Sequence, residues 1–391
     1  MKKVLITAGS VYGSIDDNKL VSNRARGVWA IKFAEYLEAW EYRVTLLVPD
    51  LLPDPLGRKN EHNVIRSGPG IQVLHHKGFE DYHYKCLMLA QSHDAMVAAA
   101  AVVNWIPAEP IPGKMPTKGY KPGDIISIPF RLAPRVIDEM KVQNPNLTLI
   151  GCKMLSGAGH EDLIEAAYHT VLSARCNVVV ANDLSHLRDK FLVHQDRTVV
   201  SFRNDFDGLF RALRDIIEDE HYTTDWLQTN YPVTAPNEAV DWTLNQYRGR
   251  FIQRAEDSDH VFGALFIPTG STALGLVTPR EKNKMFSVKD LVVIKNIHGT
   301  VIQVHGPSKA TLNAPLLARV SQKYPKARAV LHLHEQLSGV PVVPYAPPGT
   351  VRDNDREIPG PVFNIVGHGF VACLDQNGDI FKVGNPALLT P

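Results

Sequence analysis

Cysteine, charge of one sign and long hydrophobic runs are scarce in this sequence. Its four cysteines form no C-x-x-C pair, which excludes a zinc ribbon or a thioredoxin motif and predicts reduced thiols in a cytoplasmic protein. The longest apolar run, 95–105, contains Asn104 and is too short to cross a bilayer, so we predict no membrane span. The 42 Lys and Arg residues nearly balance the 41 Asp and Glu residues, which argues against a nucleic-acid partner.

The remaining composition is that of a globular chain of more than one domain. Hydrophobic residues make up 44% and charged residues 21% of the 391 residues, which excludes disorder of the whole chain. At ~150 residues per domain, this length predicts two or three domains. A polar stretch after Glu220, with Pro232 and Pro236, is interpreted as a linker, and we predict domains at 1–230 and 237–391.

The first domain alternates short apolar runs with helical patterns. An apolar strand at 3–7 ends in a glycine turn, a helix is predicted to begin near Ser22 and Asn23, and a strand follows at 43–48. Repeated units of this kind predict an α/β fold with a doubly wound parallel sheet, in which ligands bind beyond the carboxyl ends of the strands. Further strands are predicted at 94–97, 147–151, 177–181 and 198–202, and further helices at 134–141, 161–174 and 206–218.

The second domain has a different pattern. A helix predicted at 238–255 precedes a series of short strands, and one more helix is predicted at 313–323. This mixture predicts an α+β domain. The short strands are predicted at 261–267, 274–277, 291–294, 301–304, 329–334 and 370–374.

Polar segments at strand ends of the first domain each have a structural and a functional interpretation. The turn at 9–13 lacks the dinucleotide fingerprint G-x-G-x-x-G, so it fits any α/β fold as well as a phosphate site. The segment 22–27 (SNRARG) is either an N-cap with solvated arginines or an anion site at a helix N-terminus. Asn182 and Asp183 form either a simple turn or a site where a carboxamide donates to an anion or acyl oxygen.

The interval 106–124 is rich in proline, glycine and lysine. It contains five prolines, so it cannot form a helix. It is interpreted either as a surface loop or as a mobile lid that carries lysines over an anionic ligand.

Three histidines in the second domain have metal-ligand spacing. His332 and His334 lie on a predicted strand, where alternate residues share a face, and His368 stands before another strand. They are either solvated strand residues or the ligands of one Zn²⁺-type ion with an open coordination position.

Five groups of motifs occur in a fixed order over about 1–220. They are VLITAG, ID and LVSNRARG within 4–27, AAVVNW at 100–105, KMP at 114–116, LIGCK at 149–153 and VVAND at 179–183. This set resembles the phosphopantothenoylcysteine synthetase (phosphopantothenate–cysteine ligase) family. The resemblance implies a Rossmann-like, usually dimeric ligase that uses CTP or ATP with Mg²⁺. It would activate a carboxylate such as 4′-phosphopantothenate through an acyl-nucleotide for attack by an amine such as cysteine.

The same resemblance implies roles for individual residues. Asn182 and Lys114 are the expected catalytic residues, with Asn182 stabilising the acyl intermediate and Lys114 lining the nucleotide pocket. Asn104 replaces an aspartate of the family, and the acidic residue that follows Lys153 in the family is absent, which is consistent with a changed acid or amine substrate. The residues expected to hold nucleotide or substrate are Gly9, Ser10, Ser22, Asn23, Arg24, Gly27, Ala100, Ala101, Asn104, Lys118 and Asp183.

A second set of motifs lies between about 238 and 380. It consists of TP at 278–279, DLVV at 290–293, GPS at 306–308, ARAVLHLH at 327–334 and GHG at 367–369. This set resembles the class II aldolase/adducin family and implies Zn²⁺ binding by His332, His334 and His368. The family's catalytic acid falls on Ala310 and its phosphate-binding asparagine on Ala264, so conventional aldolase chemistry is not expected.

These inferences together predict a C–N ligase with a class II aldolase-like second domain that is either a zinc site or an oligomerisation scaffold. We expect a cytoplasmic homodimer or higher homo-oligomer that acts on small molecules. The alternatives are a zinc-dependent aldolase or lyase whose first domain binds a nucleotide, and a binding protein with two degenerate sites. The retained Asn182 and Lys114 favour the ligase, and the loss at Ala310 argues against the aldolase.

Overall fold

The computed structural model describes residues 1–52, 56, 70–230, 238–254, 258–270 and 273–381. Two compact units make up the chain. Unit 1 comprises Met1–Gln195 and Val199–Glu218, and unit 2 comprises Asp196–Thr198 and Asp219–Pro391. The division at Glu218 differs from the predicted boundary near 230–236, and Pro232 and Pro236 lie outside the described residues.

Unit 1 is built on an eight-stranded sheet. The strands of unit 1, in this and smaller sheets, are β1 (Lys3–Thr7), β2 (Ser10–Val11), β3 (Gly13–Ser14), β4 (Leu20–Val21), β5 (Arg43–Pro49), β6 (Ile71–His76), β7 (Ala95–Ala98), β8 (Ala101–Val102), β9 (Trp105–Pro107), β10 (Phe130–Leu132), β11 (Thr148–Leu155), β12 (Val178–Asp183), β13 (Asp189–His194) and β14 (Val199–Arg203). The main sheet has the order β14-β13-β12-β11-β7-β1-β5-β6. The strands from β12 to β6 run parallel, as predicted, whereas β13 and β14 are antiparallel because a short turn joins them.

Helices cover both faces of this sheet. They are α1 (Val28–Ala39), α2 (Gly78–Ala90), α3 (Val136–Gln143), α4 (His160–Ser173) and α5 (Phe206–Glu218). Val4 and Ile6 pack in one core with α1 and α5, where the ring centroids of Phe33 and Phe210 lie 5.2 Å apart. Leu5, between them, points to the opposite face. Burial on both faces explains why these strands are continuous apolar runs.

The start of α1 differs from the prediction. The helix begins at Val28, and its N-cap is Gly27 rather than Ser22 or Asn23. Residues 28, 31, 34 and 37 are apolar and recur at helical spacing, but they do not all face the core, because Val28 is 55% exposed. The buried residues of α1 are Ala30, Phe33, Ala34 and Leu37. Strands β6 and β13 and helix α2 were not predicted from the sequence.

Unit 2 is built on a nine-stranded, mainly antiparallel sheet. The strands of unit 2, of which β16 and β17 form a separate pair, are β15 (Thr223–Gln228), β16 (Ile252–Gln253), β17 (Val261–Phe262), β18 (Ala264–Pro268), β19 (Gly275–Val277), β20 (Val292–His298), β21 (Val301–Gly306), β22 (Ala329–Leu333), β23 (Val342–Val343), β24 (Val362–Ile365) and β25 (Gly369–Leu374). The sheet order is β15-β21-β20-β19-β18-β22-β25-β24-β23. Its helices are α6 (Glu238–Arg248), α7 (Ala314–Lys323) and α8 (Val351–Asn354). Helix α7 buries Leu316 and Leu317 in the same core as Leu331 of β22.

Three predictions for the second half are corrected. The stretch after Glu220 is not a linker throughout, because β15 pairs in parallel with β21 and Trp226 Nε1 donates to Gly306 O at 3.0 Å. The predicted strand 261–267 is broken at Gly263, whose φ of +121° brings the position of a Cβ within 2.7 Å of the Phe251 ring. Helix α6 ends at Arg248, and residue 255 of the predicted helix lies outside the described residues.

Two predictions from composition can be compared with the structure. None of the helices in the described part of the chain has the length and hydrophobicity that a bilayer span requires. All four cysteines are free, and Cys86, Cys176 and Cys373 are buried whereas Cys152 is partly exposed. Burial raises the pKa of each thiol to about 12, so none is a ready nucleophile.

Candidate functional site

The loops that follow β1 and β7 are joined at the carboxyl edge of the unit 1 sheet. The Ala101 N–H donates to Gly9 O at 2.8 Å, and Ser10 pairs with Ala101 in a short parallel ladder. The Ala100 N–H donates to the buried Thr7 Oγ1 at 3.2 Å. Four predicted nucleotide-site residues therefore lie side by side at this edge.

The segment before α1 packs against the same loops. Gly27 has φ of +69°, and a Cβ at this position would lie 2.4 Å from Gly9 N. Only glycine fits such a close approach in the left-handed region. The Asn23 carboxamide donates to Ala101 O at 3.0 Å, so Asn23 is engaged by backbone rather than by the helix. Ser22 and Arg24 are exposed beside it.

Asn182 and Asp183 end β12 at the same edge, on the far side of β7 and β11 from β1. Asn182 is 7% exposed and pairs in register with Met154. No described residue forms a hydrogen bond with its carboxamide. The donor and acceptor atoms of this side chain, at the end of β12, are therefore unpaired within the described part of the protein.

The carboxylate of Asp183 holds two turns together. Its Oδ1 accepts the Ser185 N–H at 2.7 Å and its Oδ2 accepts the Ala158 N–H at 3.1 Å. These backbone hydrogen bonds lower the pKa of Asp183, and the one from Ser185 has the largest effect. Asp183 caps the short 3₁₀ helix Leu184–His186. This structural role accounts for Asp183 without a nucleotide.

The proline-rich interval 106–124 is tethered near its middle and closed at its base. Strands β9 and β10 pair at the two ends of the longer loop that contains it. The buried Asp16 accepts the Met115 N–H at 2.9 Å, and the Asp17 N–H donates to Gly113 O at 3.0 Å. These contacts fix the backbone on both sides of Lys114, whose side chain is exposed, as is that of Lys118. These hydrogen bonds argue against the interpretation of this segment as a fully mobile lid at Lys114.

Hydrogen bonds hold the Asp16 carboxylate in its ionised form. The Met115 N–H, the Asn18 and Lys19 backbone and the Lys19 ammonium all donate to it, and they lower its pKa well below the ordinary value. Asn104, in contrast, is exposed, and its backbone carbonyl accepts the Ala133 N–H at 2.8 Å.

The three histidines of unit 2 come together in a cluster. Their ligand nitrogens all lie within 4.8 Å of one another. The ring centroids of His332 and His334 are 5.0 Å apart, and His368 lies 4.6 Å and 4.5 Å from them. His334 lies just beyond the end of β22 and stacks on Phe262 with ring centroids 4.8 Å apart.

Two of these imidazoles present a buried nitrogen without a partner. Nδ1 of His332 lies 2.9 Å from Phe370 O, so we assign its proton to Nδ1, which leaves a lone pair on Nε2. Nε2 of His332 and Nε2 of His368 are both buried, and neither has a hydrogen-bond partner in the part of the chain that the structure describes. Such orphaned acceptors fit a metal ion, which takes neutral imidazole nitrogens as ligands.

Burial favours the neutral forms of His332 and His334. It lowers the pKa of His332 well below the ordinary value and that of His334 to about 3, and the neighbouring imidazoles add to both shifts. His332 and His334 are therefore in the neutral form that binds a metal ion.

The side chains expected for aldolase chemistry are absent around the cluster. Ala264 pairs directly with His332 on the neighbouring strand, and Ala310 is buried and bridged to Pro279. Glu335 forms an ion pair with Arg250 at 2.8 Å. No carboxylate therefore occupies the two positions at which the class II resemblance expects catalytic or phosphate-binding groups.

Lys282 is a charged residue that sequence reasoning missed. It is 5% exposed, and its Nζ lies 3.5 Å from Pro279 O and 5.7 Å from the centroid of the Phe251 ring. Burial lowers its pKa to about 7. Its position within the charged segment REKNK gave no signal that it would be buried.

Comparison with known proteins assigns the chain to a family. The model of the DNA/pantothenate metabolism flavoprotein C-terminal domain matches residues 1–209, which is more than half of the chain. The protein therefore belongs to this family. The coenzyme A biosynthesis bifunctional protein CoaBC of Thermococcus kodakarensis, an enzyme, is 26% identical over 188 residues. That match covers 47% of this chain and 41% of the relative, so the chain spans about two fifths of that relative's length.

Two solved structures match parts of this chain. The DNA/pantothenate metabolism flavoprotein from Streptococcus pneumoniae matches 55% of this chain and 99% of its own, with a TM-score of 0.46 and 16% identity. An L-fuculose 1-phosphate aldolase matches 36% of this chain and 77% of its own, with a TM-score of 0.28 and 16% identity. With TM-scores below 0.5, neither likeness carries an argument about this chain.

Proposed function

We propose that unit 1 is a nucleotide-dependent amide ligase. It would use CTP or ATP with Mg²⁺ to activate a carboxylate such as 4′-phosphopantothenate for attack by an amine such as cysteine. Membership of the family over residues 1–209 and the coenzyme A biosynthesis name of the relative support this proposal. The observation that carries it is the contact of Gly27 and Asn23 with the loops of Gly9 and Ala101, which brings residues of the first motif group together with the motif at 100–105.

The width of the sheet edge suits an extended ligand. At about 4.8 Å per strand, the three steps from β1 to β12 separate Gly9 and Asn182 by roughly 14 Å. A nucleotide held by the glycine-rich loops of β1 and β7 could thus present its α-phosphate toward β12. Lys114 is exposed beside the Asp16 tether and would supply positive charge to the phosphates.

The proposed reaction has two balanced steps. A carboxylate oxygen attacks the α-phosphorus and pyrophosphate leaves. The amine then attacks the acyl carbon and loses one proton to solvent, the bond from the acyl carbon to the phosphate oxygen breaks, and the nucleoside monophosphate leaves as the amide forms. Mg²⁺ bound to the triphosphate would neutralise part of its charge. The Asn182 carboxamide, at the end of β12, would donate to the acyl oxygen as negative charge develops there.

Substitution of Asn182 tests this role. With CTP or ATP, 4′-phosphopantothenate and cysteine, we expect the wild type to release pyrophosphate and Asn182→Ala to lower kcat roughly 100- to 1,000-fold, as for loss of one preorganised donor. The melting temperature should hardly change. Asn146→Ala, at an exposed asparagine, serves as the control. Full activity of Asn182→Ala would return this residue to a plain turn, and absence of both pyrophosphate and nucleotide binding in the wild type would refute the ligase.

We further propose that His332, His334 and His368 bind one Zn²⁺-type ion in unit 2. The observation that carries this proposal is a cluster of three imidazoles in which two buried Nε2 atoms have no hydrogen-bond partner among the described residues. Such an ion would supply Lewis-acid chemistry at an open coordination position. Because Ala264 and Ala310 replace the polar groups of the class II family, we expect no conventional aldolase activity.

Metal content tests the second proposal. Elemental analysis of the purified protein should give about one metal per chain, and triple replacement of the histidines with alanine should remove it. His298→Ala, at an exposed histidine, should leave metal content unchanged. A wild type that stays metal-free after zinc supplementation would make unit 2 a scaffold. The homo-oligomeric state and the cytoplasmic location stay predictions.

A further inference from the structure

The nitrogen of His368 that faces away from the cluster contacts a carboxylate. His368 Nδ1 lies 3.0 Å from Asp196 Oδ2 and 3.0 Å from Thr198 Oγ1. The side chains of His368 and Asp196 are 1% and 10% exposed. A buried carboxylate therefore sits behind one of the three candidate ligands.

Asp196 is itself held in a fixed orientation. Its Oδ1 accepts a hydrogen bond from the Thr198 N–H at 3.0 Å, and its Oδ2 accepts one from the Tyr345 hydroxyl at 2.9 Å. The Tyr345 ring lies 5.8 Å from the His368 ring, so the tyrosine also bounds the imidazole. With both oxygens engaged, the carboxylate cannot turn away from His368 without breaking other hydrogen bonds.

We propose that Asp196 is a positioning residue for a divalent metal ion of the zinc type. It accepts the Nδ1–H of His368, which fixes the tautomer and ring orientation and directs the Nε2 lone pair to the centre of the cluster. This inference rests on the proposed metal site. Asp196 lies in the segment QDRT, outside the motifs of the second half, and nothing in its sequence context indicates this role.

The contrast with His332 sharpens the assignment. The Nδ1–H of His332 donates to a backbone carbonyl, that of Phe370, whereas His368 faces a carboxylate. A carboxylate acceptor increases the electron density on the imidazole more than a neutral carbonyl does, so His368 becomes the stronger donor to a metal. Outer hydrogen-bond partners of this kind typically change metal affinity 10- to 100-fold when they are removed.

Two measurements on the full chain test this role. The first is the zinc dissociation constant, obtained by competition with a chromophoric chelator for the wild type, Asp196→Ala, Asp196→Asn and Tyr345→Phe. We expect affinity to fall roughly 10- to 100-fold in Asp196→Ala and less in Asp196→Asn, whose amide oxygen can still accept the Nδ1–H. Tyr345→Phe removes one of the hydrogen bonds that orient the carboxylate but leaves the acceptor and the Thr198 N–H hydrogen bond in place, so it should lower affinity less than Asp196→Ala does.

The second measurement is the tautomer of His368 in the metal-free protein, read from ¹⁵N chemical shifts of the labelled imidazole. We expect the Nδ1–H form in the wild type and in Asp196→Asn, and a mixture of tautomers in Asp196→Ala. If Asp196→Ala does not fold, Asp196→Asn and the wild-type tautomer still test the proposal. An Nε2–H tautomer in the wild type, or wild-type zinc affinity with an unchanged tautomer in Asp196→Ala, would overturn it. Failure of the wild type to bind zinc would instead refute the metal site, and the tautomer would still decide whether Asp196 positions His368.

Discussion

The buried lysine of unit 2 gives the stability of the protein a specific pH dependence. Lys282 is 5% exposed, and burial lowers its pKa from 10.5 to about 7 in the folded chain. Between these two values the unfolded chain binds a proton that the folded chain does not, so stability rises with pH over this window and the full penalty is present below about pH 7. One pH unit corresponds to 1.36 kcal/mol, so the gain from pH 7 to 10 is about 4 kcal/mol.

The substitution Lys282→Met removes this titration and keeps the length of the side chain. We expect the variant to be more stable than the wild type at pH 6 by up to about 5 kcal/mol, with a much flatter dependence on pH. The chain can be equilibrated in urea at each pH and then labelled by a pulse of amide exchange at one fixed pH. Peptides from β18, β22 and β25 report the unfolding of unit 2.

Lys284→Met is the matched control, because Lys284 is exposed. Its Nζ donates a hydrogen bond to the side-chain oxygen of Gln253 at 3.0 Å. It should keep the wild-type dependence on pH. If Lys282→Met and the wild type gain the same stability between pH 7 and 10, the lysine is not buried as a neutral amine and the argument is wrong.

Two further predictions concern unit 1. Gly27→Ala should lower stability by at least ~1–2 kcal/mol and weaken nucleotide binding in calorimetry, because a Cβ would lie 2.4 Å from Gly9 N at a φ of +69°. Gly299→Ala, at a φ of +56° with nothing within 4 Å, should show the backbone cost alone, and equal nucleotide affinity in both variants would contradict the close approach. Asp16→Ala should speed amide exchange at Met115 and lower kcat/KM by releasing the backbone beside Lys114, whereas Asp17→Ala, which keeps its backbone hydrogen bond, should do neither.

The strands of the first half could be predicted because their physical signal is local. Strands β1 and β12 are buried on both faces, so they appear as unbroken apolar runs with a polar turn after them. The start of α1 could not be predicted in this way. Gly27 is its N-cap because the start of the helix packs against the Gly9 turn, a tertiary contact that helical periodicity does not reveal.

The candidate sites show the same difference between residues that local sequence patterns predict and residues whose contacts form only in the folded chain. The spacing of His332 and His334 predicted that they share a side, and the short distances to His368 agree with the expectation from the class II resemblance. Asp196 could not be predicted, because its contact with His368 spans 172 residues of sequence and belongs to no motif. Likewise, only the folded backbone reveals that the Asp183 carboxylate holds two turns, and its expected role at the nucleotide stays a prediction.

The most direct test of the central claim follows an oxygen atom through the ligase reaction. 4′-Phosphopantothenate labelled with ¹⁸O in its carboxylate is incubated with the protein, cysteine and CTP or ATP with Mg²⁺, and the nucleotide products are analysed by mass spectrometry. An acyl-nucleotide requires one ¹⁸O to appear in the nucleoside monophosphate for each amide formed, with unlabelled pyrophosphate. Label in inorganic phosphate, or amide formed without label in the monophosphate, would contradict the proposed chemistry of unit 1.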